Sequence, residues 1–137
     1  MDHIVEESIV VSWIVKRKQE RAVFELLNAK KREKREHFIW HFENYIDYTN
    51  AQKVTNSFAS SQQLDGFLKR HGAPNICYVI ALHEQLDGRW LPLEVITEEL
   101  MGYGPFFICC IPKKLAYLEC EQAFGAPNRF LLTDSRQ

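Results

Sequence analysis

With 137 residues, 46% of them hydrophobic and 26% charged, the chain matches one ordinary globular domain with enough apolar mass for its own core. No run approaches the roughly 18 apolar residues of a membrane span. Glu6 and Glu7 stand where a secretory signal would be basic, so a cytoplasmic protein is expected. The formal charge of −1 is unevenly spread: residues 16–36 carry nine Lys/Arg against four Glu, a net +5, leaving −6 elsewhere. Such polarity suits a basic face that meets phosphate or an acidic protein, or else a helix solvated by Glu/Lys pairs.

The first 70 residues read as helical. Glu6–Leu27 holds apolar residues at 10, 13, 14, 23, 24 and 27 with no Gly or Pro, and its polar middle, Lys16–Arg21, predicts a bend or projection. Asn28 can end it. A second helix is predicted from about Ala29 to Ile46, with Phe38, Phe42, Tyr45 and Ile46 as its core stripe. Residues 47–60 are polar and read as a loop. A third helix starts at Ser60 or Ser61 and stops at His71-Gly72.

Strand patterns then take over. Ile76–Leu82 is a near-continuous apolar run, Asp87-Gly88 signals a turn, and Pro92 opens a short helix to about Met101. Phe106–Ile111 is a second buried strand. A short hairpin connection at 112–114 leads to 115–121, whose alternation predicts a half-exposed strand; Arg129–Thr133 is the last. The tetrapeptide Gly-Ala-Pro-Asn occurs at 72–75 and at 125–128, each time before a strand, as shared turn chemistry. The expected fold class is α+β. One domain over 1–137 has a helical half (about 4–71) and a sheet half (about 75–133), with about three helices, about four antiparallel strands and one short inserted helix.

Few residues point to chemistry. His37 and His41 stand at i and i+4, as two metal ligands on one helix would, but Phe38 occupies the place of a zincin's glutamate and no third ligand is in reach of the motif. No metal or cofactor is therefore expected. The histidines remain candidates for acid/base or substrate contact, with Asp47 and Glu119 as the carboxylates an enzyme could add. Cys77, Cys109, Cys110 and Cys120 lie in apolar segments without a C-x-x-C pair and read as buried thiols. Partner contacts are expected at Lys31, Arg32, Lys34 and Arg35 of the charge run. A second set is Arg89, Trp90, Lys113, Lys114 and Tyr117, at turns and on a sheet face open to solvent.

The segments Gly72-Ala73-Pro74 into Cys77–Ile80, then Asp87-Gly88, then Ile111–Tyr117 with Glu119 and Glu121 resemble a family of small bacterial proteins without an assigned activity. The resemblance implies a bacterial protein in which His41, Asp47, Tyr78, Asp87, Tyr117 and Glu119 sit in matching segments, and it lends no catalytic residue. The functional expectation is a non-enzymatic binding protein, an immunity-type inhibitor or a regulatory partner of another protein, with self-association as a further option. Two alternatives stand beside it: nucleic-acid association through the basic 16–35 segment, and a small enzyme centred on the His37/His41 helix.

Overall fold

The computed structural model describes residues 1–28, 30–122 and 125–134. It has α+β architecture. The first half supplies α1 (His3–Trp13), α2 (Gln19–Ala22), α3 (Arg32–Trp40), a three-residue strand β1 (Ala51–Lys53) and α4 (Ser61–Arg70). The second half runs β2 (Ile76–Ala81), β3 (Arg89–Pro92), α5 (Leu93–Leu100), β4 (Phe106–Ile111), β5 (Leu115–Glu119) and β6 (Arg129–Thr133). All six strands join one antiparallel sheet in the order β1-β6-β5-β4-β2-β3.

The expected helix over 6–27 is interrupted. Asp2 caps α1 by accepting from the Val5 amide at 3.1 Å, but at Ile14 the backbone becomes extended and bridges Ile46. Val15 N donates to Tyr45 O and Asp47 N to Trp13 O, both at 2.8 Å. This bridge takes the backbone groups that would have continued α1. The chain resumes through a 3₁₀ turn (Lys16–Lys18), α2 and one π turn (Val23–Leu27), and ends at Asn28 as expected. The second predicted helix is likewise shorter than Ala29–Ile46. It ends at Trp40, because Phe42–Asn44 tighten into a 3₁₀ turn and Ile46 joins the bridge; its expected start, Ala29, lies outside the described residues. α4 follows expectation: Ser60 accepts from Gln63 N at 3.3 Å, and Gly72 leaves the helix at φ +105°.

The sheet is covered on both faces. Along β2, Cys77, Val79 and Ala81 face α4 and α5, whereas Tyr78 and Ile80 face α1, α3 and the π turn. β4 and β5 alternate in the same way, which is why their sequences are apolar at nearly every position. Two expectations fail here. β5 is buried at all five residues, not half exposed, and no broad sheet face is open to solvent, because α4 and α5 close the second side. Two short strands also escape the sequence pattern. Polar β1 and Pro92-terminated β3 are the sheet's edges, where length, charge and proline limit pairing with other chains. Among the described residues no helix is long and apolar enough to cross a membrane.

Candidate functional site

The candidate catalytic groups are divided by the sheet. His37, in the last turn of α3, and His41, at its C-cap, have ring centroids 4.4 Å apart. Asp47 caps the following 3₁₀ turn, accepting from Thr49 N at 3.0 Å and Thr49 Oγ1 at 2.6 Å. Glu119 lies on the α4–α5 side, fully buried. It accepts from Tyr117 Oη and Arg129 Nε, both at 3.0 Å, and from Gly102 N at 3.2 Å. Burial, and then the charge of Glu119, pushes the Tyr117 phenol well above its ordinary range. The structure therefore brings the two histidines together and leaves Glu119 apart from them.

The expected partner contacts also divide. Lys31, Lys34 and Arg89 are exposed and Trp90 is 41% exposed. Trp90 packs edge-on against Tyr78 and donates from Nε1 to Asp2 Oδ2 at 3.1 Å. Arg32 is half-buried, with its guanidinium turned to Asp87 and the carbonyls of Ala81 and Leu82. Arg35 and Tyr117 are corrected: both are buried and have no surface to offer. Tyr117 is covered by the helices over the second sheet face, and Arg35 is taken up by a charge cluster.

That cluster is the main feature the sequence pattern missed. Glu6 of α1, Arg35 of α3 and Asp87 of the β2–β3 turn are all buried. Arg35 donates to both oxygens of Glu6 at 2.7 and 2.8 Å, and to both oxygens of Asp87 at 2.7 and 2.9 Å. Asp87 Oδ1 also accepts from Ala81 N at 3.1 Å, and Tyr78 Oη donates to Glu6 Oε2. Burial by itself would lower the guanidinium's proton affinity; the hydrogen bonds and charges of Asp87 and Glu6 outweigh it and hold Arg35 charged. A helical-wheel reading of α3 contains the signal, because Arg35 shares the inward stripe with Phe38, Ile39 and Phe42.

A further buried carboxylate on this side, Glu25, lies behind a surface cleft. It sits in the π turn, the kind of helix irregularity found often at functional sites. Arg21 Nε donates to Oε1 at 2.8 Å, His37 Nδ1 lies 3.3 Å from Oε2, and Tyr45 Oη lies 3.3–3.4 Å from both oxygens. Burial pushes the Glu25 carboxyl up, but Arg21 and His37 more than offset this and hold it below its ordinary value of 4.5. The Tyr45 phenol is raised, first by burial and then by the charge of Glu25. His41 Nδ1 lies 2.8 Å from the His37 carbonyl, which can only accept, so this nitrogen carries the proton. The same argument, with an ionised carboxylate as acceptor, places the His37 proton on Nδ1. The cleft, about 200 Å³, is lined by Lys18, Arg21, His37, His41, Asn44 and Tyr45.

A pH titration tests the Glu25 assignment. A carboxyl depressed in the folded state contributes stability that is present above its unfolded value and is lost as pH falls through the folded value. The stability advantage of the wild type over Glu25→Gln is therefore expected to be full at pH 6–7 and to shrink below about pH 4.5. Urea midpoints at a series of pH values read it; a gap that stays constant down to pH 3 would show that Glu25 is not held ionised by these partners.

The four cysteines are free and buried. Cys109 faces the α1–α3 side and Cys110 the α4–α5 side; burial pushes the Cys109 thiol up to about 12, and its contact with Cys77, then burial, raises Cys110 as well. None has the electropositive, accessible setting of a reactive thiol. Among the described residues no group of three or more His, Cys, Asp or Glu is arranged to hold a metal ion. No family model, no curated protein and no solved structure matches the chain.

Proposed function

We propose that the chain is a non-enzymatic binding protein, an inhibitor or regulatory partner of another protein, and that it engages an acidic partner through the surface shared by α2, the π turn and α3. The observation that carries this reading is an exposed aromatic paired with a cation there, with a second exposed aromatic on the same helix as that cation. Phe24 is 53% exposed with the Lys34 ammonium 5.0 Å from its ring centroid, and Trp40, 42% exposed, lies on the same helix as Lys34. Aromatic anchors ringed by charge are the composition of interface hot spots, and the positive charge of Arg21, Lys31 and Lys34 would speed and orient docking of an acidic surface. The placement of the histidine pair and Glu119 on opposite sides of the sheet supports a non-catalytic reading.

The test is capture of partners by the tagged full chain from its native cells, with and without nuclease, followed by binding measurements on Lys31→Glu/Lys34→Glu. A protein that survives nuclease and binds the variant at least about tenfold more weakly, on the order of 1.4 kcal/mol, is the expected result. Unchanged affinity removes this face from the interface. Material lost entirely on nuclease treatment, with affinity that falls steeply with salt, would replace this reading with nucleic-acid binding.

A further inference from the structure

The cleft beside His37 and His41 has an unusual chemical polarity. Its one carboxylate, Glu25, is spent at the back: Oε1 is met by Arg21 and Tyr45, and Oε2 by His37 and Tyr45. What remains toward the opening consists mainly of donors. Lys18 Nζ uses one hydrogen on the Asn44 carbonyl at 2.7 Å, and Arg21 commits Nε to Glu25, with no partner among the described residues for its two terminal nitrogens. Both imidazoles have Nδ1 engaged, His37 on Glu25 and His41 on the His37 carbonyl, so each is left with Nε2, which becomes a donor on taking up a proton. Lys18 and Arg21 line the cleft and no carboxylate does, so its lining is electropositive, and Glu25 behind it serves to fix Arg21 and His37 in place.

We propose that this cleft receives a carboxylate side chain of the acidic partner, bound by Lys18, Arg21 and the Nε2 atoms of His37 and His41; the inference rests on the partner reading above. An incoming carboxylate stabilises the charged imidazoles, so binding takes up protons and tightens as pH falls. The charged and titratable groups that bear on the pair come from five segments. They are Lys18 of the 3₁₀ turn, Arg21 of α2, Glu25 of the π turn, and Tyr45 after α3; Glu33 and Lys34 precede the pair on α3 itself.

The test uses the full chain alone, with acetate and inorganic phosphate as probes. The histidine Cε1–H resonances are followed by NMR at constant ionic strength, at pH 6 and pH 8, with chloride as the control. Saturable shifts of His37 and His41 with acetate are expected, with a Kd on the order of 10 mM at pH 6 and weaker at pH 8. Lys18→Gln/Arg21→Gln should raise that Kd at least about tenfold. Arg21 is exposed and Lys18 half-buried, and an unchanged circular dichroism spectrum and urea midpoint check that the fold holds. Shifts that chloride reproduces, or affinity equal at both pH values, would overturn the proposal. Saturation by phosphate but not acetate would overturn it in favour of a phosphoryl ligand. Because no partner is present, failure here leaves the Lys31/Lys34 experiment standing; acetate binding without any captured protein would overturn the partner reading and with it the partner's carboxylate as occupant, leaving a site for a small carboxylate.

Discussion

Replacing Arg35 with methionine is expected to cost about 3–5 kcal/mol, a large share of the roughly 5–15 kcal/mol that holds a domain of this size folded. The cost arises because two carboxylates, Glu6 and Asp87, would stay buried after losing the guanidinium that donates to all four of their oxygens. Arg32 can still reach Asp87, but Glu6 would keep only the Tyr78 hydroxyl. Urea denaturation measures the loss. The triple change Glu6→Gln/Arg35→Met/Asp87→Asn should recover much of it, because no unpaired charge is then left in the interior. A single-variant loss below 1 kcal/mol would mean that water reaches the trio.

Phe107→Ala should cost a similar 3–5 kcal/mol for a different reason. Its ring is fully buried, lies 4.7 Å from that of Phe42 at an interplanar angle of 6°, and stands 6.0 Å from Trp13. It is thus the point at which the sheet, α1 and the segment after α3 meet, and truncation leaves a cavity that three rigid elements cannot collapse to fill. Tyr103→Ala, at a ring 77% exposed, should change stability by less than about 0.5 kcal/mol. Equal losses at the two sites would contradict the placement of the core between α1–α3 and the sheet.

Local chemistry explains which elements were legible. α4 has a serine cap, a clean apolar stripe and a terminal glycine, and β2 and β4 are apolar at nearly every residue because helices cover both sides of them. The polar stretch Lys16–Arg21 signals a bend, but nothing local puts the break at Ile14. It is made by Tyr45, Ile46 and Asp47, which reach it only once the chain has turned back. β1 and β3 are stabilised by neighbours rather than by propensity, so Gln52-Lys53 and Trp90-Leu91-Pro92 carry too little pattern to stand out.

The candidate site was legible only in part. The i, i+4 spacing brought His37 and His41 to notice, yet Glu25, which His37 meets, and its partner Arg21 come from segments whose approach depends on the π turn. Arg35 was hidden differently. It stands in a run of lysines and arginines, and charge density spoke for the surface while its helical phase placed it inward. A charged residue on an apolar stripe announces a buried partner of opposite sign, which Glu6 and Asp87 supply.

The position of β6 has a consequence for synthesis on the ribosome. It lies between β1 and β5, so Ala51 finds its partner, Leu132, only when the final strand has left the exit tunnel, and the Trp13 indole waits for the Thr133 carbonyl over the same interval. Until then the β5 edge and β1 lack their partner, and closure of the sheet waits for β6.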